Sequence, residues 1–336
     1  MLNQETLEKF DSKKMYKVYD DWPNLAKQAY DSNLEPVNFE NINHIVFAGM
    51  GGSGAIGDLF AAILSKTDIH ITLVKGYLLP KTVDENTLII TTSVSGNTIE
   101  TLTVLKSAHK LNCQIIAFCS GGKMKQFCID KKINFKIIKS VHSPRASFVT
   151  YVYSILSILR NILPINENDV SSSIDSLFEM HRKISSNDLT DSNPAISLAN
   201  WITDIPLIYY PQGLQSAAIR LKSALQENSK IHAMIEDIIE SCHNGIVAWE
   251  TSSRVQPILL KGTEDYIKTK ERFSIIEQYF TDNKINFKII NSTDGNILTK
   301  IISLIYFFDY SSIYRAVLSK IDPSPVKSID YIKKKI

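Results

Sequence analysis

The stretch HIVFAGMGGSGAIGDLFAAIL, residues 44–64, constrains the fold more than any other part of the sequence. A short apolar run passes through a glycine-rich turn into small and apolar residues at helical spacing, which predicts a strand, a tight turn and a helix. The pattern recurs. IHITLVKG, TLIITTSVSG, CQIIAFCSGG and NFKIIKS read as further strands, with helices beginning near Ser53 and Asn97. Strands that alternate with helices imply parallel βαβ units and an open, doubly wound sheet.

The segment SPRASFVTYVYSILSILRNILP begins a helical stretch that runs to about residue 203. After it, DIPLIYYPQGLQSAAIRLKSALQENSK repeats the opening theme of apolar strand, glycine and small-residue helix, the helix spanning about 214–229. RVQPILLKG and INFKIINS read as strands flanking a helix over about 263–284, and MIEDIIES reads as helical. The expectation is an α/β protein of two doubly wound parallel-sheet domains. The first occupies residues 1–150 and carries the anion loops; the second, 151–336, holds the helical crossing, a repeat of the first domain and a terminal helix.

Hydrophobic residues make up 44% of the 336, charged residues 21%, and the net charge is +2. That balance belongs to a globular protein and gives no footprint for nucleic acid. The amino terminus has charges throughout and no apolar core of the kind a secretory signal needs, so a cytosolic location is expected. The apolar run within LTKIISLIYFFDYSSIYR is interrupted by Lys300 and Asp309, short of the roughly 18 residues of a membrane span, and reads as a buried core helix. The four cysteines and seven histidines show neither C-x-x-C nor H-E-x-x-H spacing, so no metal and reduced core thiols are expected.

Gly49, Gly51 and Gly54 spell G-x-G-x-x-G. A dinucleotide site also needs an acidic residue at the end of the second strand, about 20 residues on. Asp68 lies before that strand instead of after it, and Lys75 keeps only a phosphorylated nicotinamide cofactor in view. A second loop favours a simpler ligand: TTSVSGNTIETL places Ser93, Ser95 and Thr98 around a helix start. A helix amino terminus carries about half a positive charge, and hydroxyls beside free N–H groups form an anion cradle. Three hydroxyls in six residues exceed what one helix cap uses. No G-x-x-x-x-G-K-[ST] is present, so the expected ligand is a phosphate monoester.

GMGGSGAIGD and SVSGNT, followed in order by SPR at 143–145, LQENSK at 225–230, CHNG at 242–245 and a lysine near the carboxyl end, resemble the bifunctional phosphoglucose/phosphomannose isomerases of the sugar isomerase domain superfamily. The resemblance implies domains of flavodoxin-like type. It also implies a homodimer that interconverts glucose 6-phosphate or mannose 6-phosphate with fructose 6-phosphate through a cis-enediol, without metal or cofactor. It assigns the phosphate to Ser93, Ser95 and Thr98, with Gly51, Gly52 and Ser53 lining the same pocket. The family's base matches Glu227, its ring-opening histidine His243, its arginine Arg145, and its near-terminal lysine Lys333, which Lys334 and Lys335 follow directly. Two stretches depart from the pattern: ESC before His243, where an apolar stretch is expected, and RASFV after Pro144, a loose match.

The chemistry asks for such groups. Moving a carbonyl from C1 to C2 takes one carboxylate that accepts and returns a proton, placed where ionisation is disfavoured, as at a helix carboxyl end. A histidine at a turn reaches a partner subunit's site as readily as its own and titrates where ring-oxygen protonation is useful. A guanidinium stabilises an enediolate. The alternative from another class is a non-catalytic sugar-phosphate-binding regulator.

Overall fold

The computed structural model describes residues 2–335. The chain divides into two compact units, Asp21–Ile174 and Met1–Asp20 together with Asp175–Ile336. The division therefore falls later than residue 150. The buried helix Phe148–Ile158 packs on the Trp22–Tyr30 helix of its own unit, with Trp22 stacked on Phe148 at 6.3 Å.

The Asp21–Ile174 unit holds five parallel strands: β1 (His44–Ala48), β2 (His70–Val74), β3 (Thr87–Ser93), β4 (Gln114–Cys119) and β5 (Asn134–Ile137). Their order is β2-β1-β3-β4-β5, the flavodoxin-like doubly wound arrangement. β1 and β3 are buried along their whole length, because helices cover both faces and leave no wet side that would require alternation. Val46, Ala48, Ile89 and Val104 pack in one cluster, and Leu102, Ala117, Met124 and Cys128 in another. Burial pushes the Cys128 thiol up to about 12, so it stays protonated among apolar neighbours.

The amino-terminal edge of this sheet contains a buried histidine. His44 Nε2 lies 2.9 Å from Thr72 Oγ1, Nδ1 lies 3.3 Å from Thr87 Oγ1, and the ring is 4.8 Å from that of His70. Burial, then the neighbouring His70, depress its pKa below the ordinary 6.5. The unfolded chain therefore binds the proton first. The stability this group contributes is present above about pH 6.5 and lost as pH falls through that value toward the folded one. Urea midpoints are expected to drop between about pH 7.5 and pH 5 and to drop less in His44→Gln; equal losses in both proteins would contradict this.

The second unit repeats the topology. Strands β6 (Ile205–Tyr210), β7 (Met234–Asp237), β8 (Val255–Lys261) and β9 (Lys288–Asn291) run parallel in the order β7-β6-β8-β9. Met234–Asp237 corrects the helical reading of MIEDIIES: it pairs with β6, and Asp237 then caps a short helix at Ile238–Ser241 by accepting from the Ile239 and Glu240 N–H groups. Lys300 and Asp309 break the apolar run but not the helix: both lie within one 22-residue helix, Ile297–Leu318, the buried core helix expected from the sequence. Among the described residues it is the one helix long and apolar enough to span a membrane, yet nearly all of it is buried in the protein. Each charge is paired: Lys300 Nζ with Glu264 at 2.5 Å, and Asp309 with Arg220.

Candidate active site

The glycine turn follows β1 and the hydroxyl loop follows β3, and these strands are hydrogen-bonded neighbours in register from His44↔Thr87 to Ala48↔Thr91. Because the strand order reverses between them, their carboxyl ends flank the crevice in which open α/β sheets take ligands. The Val94 N–H donates to Ser53 Oγ at 3.4 Å, joining the two loops directly. Ser53 is buried, Gly52 half-buried and Gly51 exposed.

The hydroxyl loop differs from an ordinary helix cap. Thr98 occupies the N-cap position of the Ile99–Ala108 helix, but its side chain makes no capping bond. Its hydroxyl meets Ser93 Oγ at 2.9 Å instead. The helix start thus keeps its dipole free of a side-chain cap, although Glu100 in the first turn weakens the local field. Ser95 is exposed, and its Oγ accepts from the Asn97 N–H at 3.2 Å.

A third loop, after β4, completes this end of the sheet, and no motif in the sequence marks it as part of the site. Ser120 Oγ donates to the Val94 carbonyl at 2.5 Å, and the Lys123 N–H donates to Asn97 Oδ1 at 3.0 Å. Its one local signal is the Ser-Gly-Gly after an apolar strand. Gly96, at φ 66°, presses so closely on this loop that a Cβ would lie 1.8 Å from the Gly121 carbonyl oxygen. Gly96→Ala is expected to cost at least about 1–3 kcal/mol from positive φ alone. It should also raise the KM for a sugar phosphate by about tenfold or more, as loss of a charge-assisted hydrogen bond would. Thermal melts and steady-state kinetics check both; wild-type values would show the cradle is not built this way.

Arg145 belongs to the same end. A methyl on Gly52 would lie 3.2 Å from the Pro144 carbonyl and 3.3 Å from Arg145 Cα, so the Ser143–Arg145 segment lies against the glycine turn. Ser147, fully buried, fixes that segment by sharing its one hydroxyl proton between the Val141 and Ser143 carbonyls and accepting from the Val141 N–H. Trp22 Nε1 donates to the Ala146 carbonyl at 3.0 Å. The Arg145 side chain is buried. Lys75, by contrast, donates to both carboxylate oxygens of Asp58 at 2.6 Å. That pairing engages the cation on which a phosphorylated nicotinamide depended.

In the other unit the Gln215–Ala224 helix widens into a π-turn, Leu225–Ser229, that carries Glu227. π-turns concentrate at functional positions because the extra residue re-aims a side chain. Glu227 is half-buried and lines a cavity of about 790 Å³ with Ser223, Gln226, Lys230, Asp322 and Lys327. Asp322 is engaged by Ser12 Oγ at 2.6 Å and the Ser324 N–H at 2.8 Å. Lys230, left-handed at φ 58°, donates through Nζ to the Glu227 carbonyl and to the Pro323 carbonyl, closing the turn.

His243 is exposed just beyond the Ile238–Ser241 helix, with its backbone N–H bonded to the Glu240 carbonyl at 2.9 Å. Beneath the turn that follows, Glu236 takes the space a side chain at Gly245 would need. Burial, then the charge of Glu240, raise the Glu236 pKa. Lys333 ends the Lys327–Lys333 helix and is exposed, as are Lys334 and Lys335. The lysine of this helix that lines the Glu227 cavity is Lys327, at its other end.

Residues 38–161 match the family model described as SIS domain, and residues 191–336 match that of the bacterial phospho-glucose isomerase C-terminal SIS domain. A bifunctional phosphoglucose/phosphomannose isomerase of Caldicellulosiruptor bescii is 31% identical over 330 residues, covering 94% of this chain and 96% of that protein. The protein of the same description from Thermoplasma volcanium is 30% identical over 296 residues, covering 87% and 91%. A solved structure of a hypothetical protein from Thermus thermophilus shares the fold, with a TM-score of 0.76 at 12% identity over 98% of this chain and 92% of that one.

Proposed function

This chain belongs to the bifunctional phosphoglucose/phosphomannose isomerase family and is a sugar-phosphate isomerase, and from that premise we propose that it interconverts glucose 6-phosphate and mannose 6-phosphate with fructose 6-phosphate, without a metal. Ser93, Ser95 and Thr98 hold the phosphate, with Gly51, Gly52 and Ser53 lining the same pocket. His243 protonates the ring oxygen as the sugar opens. Glu227 removes the C2 proton of the aldose, a cis-enediolate forms, the hydroxyl proton passes from O2 to O1, and the same carboxylic acid delivers its proton to C1 as the ketose carbonyl closes at C2. Arg145 stabilises the enediolate oxygen, and Lys333 takes the part of the near-terminal lysine. The observation that carries the reading is the uncapped helix start behind Ser93, Ser95 and Thr98, since a structural serine-threonine loop would spend a hydroxyl on the cap.

The working unit on this reading is a cytosolic homodimer in which His243 serves the neighbouring subunit. Its exposed position on a turn supports that role. A coupled assay with each aldose phosphate in the presence of a chelator is expected to show turnover of both; binding without conversion would favour a regulator. Mixing inactive Glu227→Gln and His243→Ala subunits should restore about a quarter of the activity, because half of the dimers are then mixed and each holds one intact site. No recovery on mixing would place His243 in its own subunit's site.

A further inference from the structure

A π-turn opens the helical hydrogen-bond ladder by one residue and persists only where something outside the helix holds it. Here the support comes from the Ile297–Leu318 helix. Asn228 Nδ2 donates to Ser312 Oγ at 2.8 Å, Ser229 Oγ donates to the Ser312 carbonyl at 2.7 Å, and Ser312 Oγ donates to the Asp309 carbonyl at 2.6 Å. All three side chains are fully buried. Upstream of the turn, Arg220 is tied to Asp309 of the same helix through Nε and Nη2 at 2.8 and 2.5 Å. The turn is thus gripped on both sides of Glu227 by residues three apart on one face of one helix.

We propose that Ser312 and Asn228 are positioning residues for Glu227: they hold the extra residue in the turn and so fix the direction from which the carboxylate meets the sugar carbons. This rests on the assignment of Glu227 as the base. One residue of an α-helix subtends about 100°, so relaxation of the π-turn to α geometry swings the side chains of the turn by up to that angle. A displacement of about 1 Å at a reacting group costs on the order of 10²-fold in rate.

Ser312→Ala removes the acceptor of Asn228 and leaves the backbone bond to Ser229 in place. It is expected to lower kcat per folded molecule by about 10–100-fold while KM changes less than about threefold. Turnover in D2O gives a readout that a merely structural role would not move. A misaimed carboxylate delays the return of the proton to C1, so deuterium incorporated per turnover should rise. Asn228→Ala should behave alike, and the double variant should lose less than the two single losses combined, because both remove the Asn228–Ser312 hydrogen bond.

Loss of thermal stability alone, with wild-type kcat per folded molecule and wild-type deuterium uptake, would overturn the proposal, as would additive losses in the double variant. If Ser312→Ala does not fold, Asn228→Ser, which keeps a hydroxyl but shortens the reach, is read by the same two measures. Glu227→Gln in the same assay separates the two levels. Full turnover there removes the base assignment, whereas a dead Glu227→Gln beside a normal Ser312→Ala removes only the positioning role.

Discussion

Glu227→Gln is expected to bind fructose 6-phosphate as well as the parent protein does and to turn it over about 10²–10⁴-fold more slowly, the range removed with a general base. The amide keeps the size of the side chain, and Asn228, Ser229 and Lys230 hold the π-turn through their own hydrogen bonds. The change therefore keeps the shape of the cavity lining and deletes the capacity to accept a proton. Titration calorimetry and a coupled assay separate the two effects. A variant with full kcat would place the base elsewhere, and one with lost binding would make Glu227 a ligand contact.

The second large effect is on stability. Asp309 is fully buried and accepts from Arg220 Nε and Nη2 and from Tyr19 Oη, the last at 2.9 Å. Burial opposes the guanidinium charge, but the Asp309 carboxylate outweighs it and holds the Arg220 pKa above its usual value. Asp309→Ala leaves that charge buried without its counterion, and a loss of about 3–5 kcal/mol is expected. Replacing both partners by apolar residues of similar volume, Arg220→Met with Asp309→Leu, should recover most of it, since the pair's own net contribution is small beside the cost of breaking it. Denaturant unfolding decides; a loss under about 1 kcal/mol for Asp309→Ala would mean that water reaches Arg220.

Most of the fold was legible because its signals are local. The strands from His44 to Ile137 announce themselves as short apolar runs, and the glycine and hydroxyl loops follow them directly. Met234–Asp237 reads as helix because four residues carry too little period to separate a strand from the helix that follows. Its pairing with β6 is a long-range fact. The length of the Ile297–Leu318 helix is hidden because a charge in an apolar run looks like an interruption until its partner is known. Arg220 and Glu264 are both distant in sequence.

The same distinction runs through the site. Ser93 and Thr98 are near in sequence, and their grouping can be read off. The Ser120–Lys123 loop joins them only through the order of the sheet, and the pairing of Lys75 with Asp58 needs the coordinates. The π-turn at Glu227 leaves no local mark at all, because its cause, Ser312, sits on another helix.

Asp309 has a further consequence during synthesis. Until it packs, the segment from Ile297 to Leu318 has the length and apolarity of a membrane span. An aspartate near the middle of such a segment adds about 2.5–3.5 kcal/mol to the cost of entering lipid. The carboxylate that later locks Arg220 in place thus first biases the nascent chain away from the bilayer.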